Sequence, residues 1–173
     1  KLIAVDIVSS VPVVSVDWEA VDLVFFSVQK GIGMPAGLAV LFVSPRAYTK
    51  ALDIGKRISI GSFHAFPELK KYADRRQTSE TPNVMNIYLL GKIADDMLQE
   101  GIENIRIKIE NRAKGIYEFL EKGAFHPFIE DEKGRSETTI CAVAPDGSKP
   151  VIEALKAKRL ISGCGYGKNS DAH

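Results

Sequence analysis

A chain of 173 residues with 45% apolar content can bury a core sufficient for one domain or a domain and a half. Its 23 Lys and Arg nearly cancel its 22 Asp and Glu, so no net field draws it to nucleic acid or to an anionic membrane surface. No apolar run approaches the roughly 20 residues that span a bilayer and no signal-peptide pattern opens the chain, which suggests a soluble cytoplasmic protein. Cys141 and Cys164 lack C-x-x-C spacing, and His64, His126 and His173 are scattered, which argues against both a disulfide framework and a bound metal. Neither end looks finished: Lys1 runs straight into strand-like residues, and Asp171-Ala172-His173 closes no element, as expected of a piece of a longer polypeptide.

Leu2 to Val8 reads as a buried strand with Asp6 embedded in it. A buried carboxylate without compensation is costly, so Asp6 needs a cationic partner, unless it caps the Ser9-Ser10 turn that follows. Asp17 to Ala20 forms a short surface connection in which Trp18 is a packing residue. Val21 to Phe26 and Leu38 to Val43 are rich in the β-branched and aromatic residues of buried strands. Between them lies a polar, glycine-rich turn, Ser27 to Gly37, that presents Lys30 at a strand end. A lysine beside apolar walls releases its proton more readily, and a neutral amine can attack a carbonyl to form a Schiff base. An ordinary solvated loop has the same composition. Gly31, Gly33 and Gly37 approximate a dinucleotide-binding loop, but the spacing is G-x-G-x-x-x-G, Pro35 interrupts it and a strand follows, which rules that loop out.

Ser44-Pro45 has the form of a helix start, with the helix expected over Arg46 to Leu52. Gly55 to Ser62 reads as a surface loop and Phe66 to Arg76 as a short basic helical turn whose charges are solvated. Val84, Ile87, Leu90, Ala94, Met97 and Leu98 recur at helical spacing, placing Thr81 to Asn83 at a helix N-terminus. Such an end attracts a phosphate, or simply caps the helix. After Gly101, a second helix carries Ile102, Ile105, Ile109, Ala113, Ile116 and Leu120 on one face, and both aliphatic stripes are expected in the core. Beyond Phe128 come a charged turn at Glu130 to Gly134, a strand over Thr138 to Val143, a turn at Asp146-Gly147, a helix over Val151 to Lys158 and a final strand at Leu160-Ile161. That order suits a small α+β unit packed on the preceding helices.

Three of these segments occur in a familiar order: Val5-Asp6-Ile7-Val8-Ser9-Ser10, then Gln29-Lys30-Gly31-Ile32-Gly33 with Pro35 and Gly37, then Glu80-Thr81-Pro82-Asn83 before the long helix. With Gly165-Tyr166-Gly167 near the end, the chain resembles the carboxyl-terminal half of a class V, fold-type I pyridoxal-phosphate aminotransferase, most nearly the phosphoserine branch. The resemblance implies an α/β fold: residues 1–83 the end of the cofactor-binding large domain with its mixed sheet, 84–122 connecting long helices, and 123–173 an incomplete small α+β domain. Lys30 matches the lysine that bonds the cofactor and moves the substrate's α-proton. Asp6 matches the carboxylate facing the pyridine nitrogen, Gln29 a residue on the cofactor phosphate, and Thr81 a threonine reaching the phosphate of the neighbouring subunit's cofactor. Ser10 joins Asp6 among the cofactor-binding positions. A homodimer with shared sites, acting on a small amino acid and a 2-oxo acid in amino-acid metabolism such as serine biosynthesis, is implied with them.

The chain departs from that pattern in two places. Glu80 stands where the phosphoserine enzymes carry an amide, and Met34 is inserted before the usual Pro-Ala-Gly, so the backbone path after Lys30 is expected to differ. The family's ring-stacking residue and main phosphate-binding turn are expected before Lys1, and its substrate-carboxylate arginine just after His173. Two other functions compete. A cysteine desulfurase of the same class would use Cys164 as nucleophile, although those enzymes carry His-Lys where this chain has Gln29-Lys30. A non-catalytic remnant of the fold would have no need of both Asp6 and Lys30.

Overall fold

In the computed structural model, which describes residues 1–165, the first three apolar runs form one mixed sheet. β1 (Ala4–Asp6) runs parallel to β2 (Leu23–Ser27), and β2 runs antiparallel to β3 (Ala39–Val43), giving the order β1-β2-β3. The parallel register places Asp6 opposite Phe25, so the carboxyl ends of β1 and β2 lie at the same edge of the sheet. Period-two alternation sets the core: Val24, Phe26 and Val28 are buried while Phe25 is exposed. Ile7 and Met34 complete this cluster, and Leu89, Leu90 and Ile93 of α3 (Val84–Glu100) pack against it.

Helix α1 (Pro45–Gly55) starts as its sequence predicts, with the Ser44 hydroxyl accepting the Ala47 N–H at 3.0 Å and Pro45 in the first turn. Helix α2 (Phe66–Ala73) carries the exposed pairs Lys70–Asp74 and Lys71–Glu68, solvated charges on a short helix. Helix α3 begins where the pattern places it, after Asn83.

The chain divides into two compact units, the first spanning Lys1–Ile102 and the second starting at Glu103. In the second, α4 (Ile102–Lys122) buries Ala113 and Leu120, β4 (His126–Pro127) pairs antiparallel with β5 (Ala142–Val143), and α5 (Ser148–Ala157) follows a turn at Gly147. Arg135 pins this unit, donating to Glu121 Oε1 at 2.6 Å and to the Ile129 carbonyl at 3.0 Å, with its guanidinium 5.0 Å from the Tyr117 ring centroid. Among the described residues no helix is long and apolar enough to cross a membrane.

Several expectations give way. The strand foreseen over Thr138 to Val143 survives only at Ala142–Val143, because Ser136 Oγ accepts the N–H groups of Thr138 and Thr139 and folds that stretch into a local turn. Leu160-Ile161 forms no strand: the Leu160 N–H turns back to the Leu155 carbonyl at 2.9 Å, and Ile161 is exposed. The aliphatic stripes are only partly core, with Val84, Ile87, Leu98 and Ile116 exposed. Tyr166, Gly167 and His173 lie outside the described residues.

The largest correction concerns the buried acid. β1 is shorter than the apolar run predicts, Leu2 and Ile3 are exposed, and so is Asp6. Asp22, just before β2, is the buried carboxylate, 3% exposed. Its Oδ1 accepts from Ser44 Oγ and Arg46 Nε, and its Oδ2 from the Ile3 N–H and Arg46 Nη2, at 2.6 to 3.0 Å. Above all the Arg46 hydrogen bonds, then the Ile3 N–H, hold its carboxyl well below the usual carboxylate range.

Candidate active site

Open α/β sheets bind ligands beyond the carboxyl ends of their strands, and the loops leaving β1 and β2 meet there. The Gly31 N–H donates to the Val8 carbonyl at 3.2 Å, and Lys30 Nζ donates to Ser9 Oγ at 3.3 Å. A Cβ on Gly31 would sit 2.0 Å from the Val11 carbonyl oxygen, so only glycine lets the two loops approach this closely. Asp6, Ser9 and Ser10 thus share one edge with Gln29 and Lys30.

Asp6 is not compensated by a buried cation. Its Oδ1 accepts the Val8 N–H at 2.8 Å, capping the turn that follows, and it forms no ion pair with Lys30. Ser10 is half-buried, and its carbonyl accepts from Val13 and Val14 at 2.8 and 3.0 Å. Gln29 and Lys30 are exposed, so the apolar walls anticipated around Lys30 are not supplied by the described residues. The apolar residues flanking it turn the other way: Val28 and Met34 point into the core beneath the loop. Met34 is buried there, with its N–H on the Val28 carbonyl at 3.0 Å after a turn in which Gly33 has φ +73°.

The far arm of the loop, Pro35 to Gly37, meets the start of α3. Asn83 caps that helix, its Oδ1 accepting the Asn86 N–H at 3.1 Å, and its Nδ2 reaches the Gly37 carbonyl at 3.5 Å. Asn86, 5% exposed, donates from Nδ2 to the carbonyls of both Pro35 and Ala36, at 3.1 and 3.3 Å. Thr81 is exposed two residues before the cap, at the helix N-terminus where the sequence places it. The sequence assigns neither Ser9 nor Asn86 a role in the site. Ser9 is marked only by its place after Asp6, and Asn86 by being the polar residue at the start of an otherwise apolar stripe.

The edge therefore offers one amine on a single hydroxyl contact, one carboxylate with an oxygen to spare, and a helix start suited to an anion. Among the described residues no group of three or more His, Cys, Asp or Glu side chains could hold a metal ion. Cys164 is exposed and belongs to the second unit, whereas Lys30 belongs to the first.

A family model described as Aminotransferase class-V matches residues 1–158. The chain belongs to the class-V aminotransferases. Over 93% of its length it is 33% identical to an uncharacterized aminotransferase of Methanocaldococcus jannaschii, of which it spans 41%. It is 28% identical to a serine–glyoxylate aminotransferase of Arabidopsis thaliana, with 96% of this chain and 42% of that protein covered. A solved phosphoserine aminotransferase from Cytophaga hutchinsonii superimposes with a TM-score of 0.91 at 42% identity, covering 98% of this chain and 48% of that one. The class-V chain thus spans less than half the length of these relatives, and its fold is that of the fold-type I transferases.

Proposed function

We propose that this chain forms the lysine-bearing part of a pyridoxal-phosphate-dependent transaminase that moves an amino group between phosphoserine and 2-oxoglutarate. The observation that carries the reading is the meeting of the Asp6 and Lys30 loops at the carboxyl edge of two parallel strands. The phosphoserine aminotransferase at 42% identity supports phosphoserine as the amino acid. The serine–glyoxylate relative at 28% favours serine and glyoxylate as the second choice.

The residues present fit pyridoxal phosphate. Lys30 Nζ is exposed and bonded only to a hydroxyl, so it can be given up to an aldehyde, and Asp6 has an oxygen not used by its turn. The glycine at position 31 lets the lysine loop pack against the Val11 carbonyl, which brings Lys30 to the edge that carries Asp6. When bound, the cofactor supplies an aldehyde carbon for amines and a ring that accepts the electron pair released at the substrate Cα. Lys30 would hold the cofactor through its amine, and that amine would also be the base that moves the proton at the substrate Cα. Asp6 would supply the anion that favours a protonated ring nitrogen. Gln29 would bind the phosphate, Ser10 would line the Asp6 side, and Thr81 would reach the phosphate of a second subunit's cofactor, in keeping with a homodimer. A cytoplasmic location and the division at 83/84 and 122/123 belong to the same proposal.

Two measurements test it. The complete enzyme, incubated with pyridoxal phosphate, gains a visible absorption band, and borohydride then fixes the cofactor to the peptide containing Lys30; Lys30→Ala shows neither. A wild type that stays colourless contradicts the proposal. Comparing kcat/KM for phosphoserine plus 2-oxoglutarate with that for serine plus glyoxylate decides the substrate class.

A further inference from the structure

We propose that Asn86 is a positioning residue for Lys30, holding the outer arm of the lysine loop against the start of α3. The inference rests on the transaminase reading, in which Lys30 is the reacting amine.

The loop is pinned in two different ways. Its inner half is fixed by backbone bonds, one of them to the loop after β1: Val28 N–H to the Leu38 carbonyl at 3.2 Å, Gly31 to Val8 at 3.2 Å, Gly33 to the Lys30 carbonyl at 2.9 Å and Met34 to Val28 at 3.0 Å. Its outer half, Pro35 to Gly37, is exposed and is bonded by the side chains of Asn83 and Asn86. Asn86 makes the shorter contacts, spreading one carboxamide nitrogen over two consecutive carbonyls. No other short side chain offers two N–H donors there; serine offers one donor and alanine none.

A shift of the arm reaches the lysine through Met34 and the backbone bonds of the inner half. Pro35 has a fixed φ, and Met34 is buried in the core, with its N–H tied to the base of the loop. The Gly33–Lys30 bond then joins that point to the lysine's own carbonyl. The same helix start follows directly from Thr81, so Asn86 also keeps the amine in register with the residue assigned to a phosphate. A cap that served only the helix would need Asn83 alone, since Asn83 already receives the Asn86 N–H.

The test uses the complete enzyme, with cofactor removed and restored, in Asn86→Ala and Asn86→Ser. Two readouts are taken: the rate at which the apoenzyme captures pyridoxal phosphate on Lys30, trapped with borohydride, and kcat and KM per bound cofactor. Misplacing a reacting group by a fraction of an ångström to one ångström costs about tenfold or more. Asn86→Ala is expected to lower both the capture rate and kcat about tenfold, with KM for each substrate within about twofold of wild type. Asn86→Ser, with one donor restored, falls between. Wild-type capture and kcat in either folded variant overturn the proposal, as does failure of both variants to fold, which would make Asn86 a purely structural residue. A wild type that never captures the cofactor on Lys30 instead defeats the transaminase reading.

Discussion

The two ends of β2 carry two contrasting charged sites. At its start, Asp22 is buried and accepts four hydrogen bonds that tie together the beginning of β1, the start of α1 and the sheet. Beyond its end, Lys30 is exposed on one long contact to Ser9, and Asp6 across from it has a single bond to its own turn. A fully bonded buried charge is committed to the fold, because moving either partner leaves a charge uncompensated. A lightly bonded charge over a rigid, glycine-packed base is free to bind something else. In this chain, burial marks Asp22 as the structural acid, and sparse bonding leaves Asp6 available for the role proposed for it.

Substitutions at the two ends should separate accordingly. Lys30→Ala abolishes cofactor capture and turnover, with activity down by at least about a thousandfold, while the melting temperature stays within about 2 °C because the side chain is exposed. Asp22→Ala does the reverse: differential scanning calorimetry should show a fall on the order of 5–10 °C, with kcat per folded, loaded enzyme unchanged. Equal losses of activity and stability in both variants would erase the distinction between the ends. Gly31→Ala bridges them, since its Cβ collides with the Val11 carbonyl beneath the amine; stability should drop by about 1–3 kcal/mol and activity with it. The smallest effect is on acid stability. The Asp22 carboxyl is depressed in the folded state, so its stabilisation is complete above the unfolded value of about 3.9 and is lost as pH falls toward the lower folded one. The gap in melting temperature between wild type and Asp22→Asn should therefore be constant near neutrality and shrink below about pH 4. A gap that does not change with pH would mean that Asp22 is held by shape rather than by charge.

The sequence made the strands and helices of the first unit legible because their signals are local: β-branched runs flanking a glycine-rich turn, Ser-Pro before α1, an apolar 3.6-residue period after Asn83. The order of Asp6, Gln29-Lys30 and Thr81 was legible as a resemblance. Burial was not. An acid inside an apolar run looks buried, yet β1 has only three residues and Asp6 closes it, whereas Asp22 stands in an unremarked Val-Asp-Leu and finds Arg46 24 positions later in sequence. Long-range partners of that kind leave no periodic trace. Asn86 was hidden for the same reason, since its partners at positions 35 and 36 are 50 or 51 residues away. In the second unit, Ser136 bent a predicted strand by a local hydrogen bond that competes with pairing, which propensity alone does not weigh.

The central claim is that the exposed acid and the exposed amine at this edge serve one cofactor ring from opposite sides. It is tested most directly by the nitrogen chemical shift of pyridine-¹⁵N-labelled pyridoxal phosphate bound to the complete enzyme and to Asp6→Ala. A protonated ring nitrogen in the wild type and an unprotonated one in Asp6→Ala, with the label on Lys30 in both, is the predicted result. The same nitrogen signal in the two proteins would place Asp6 away from the ring and contradict the account.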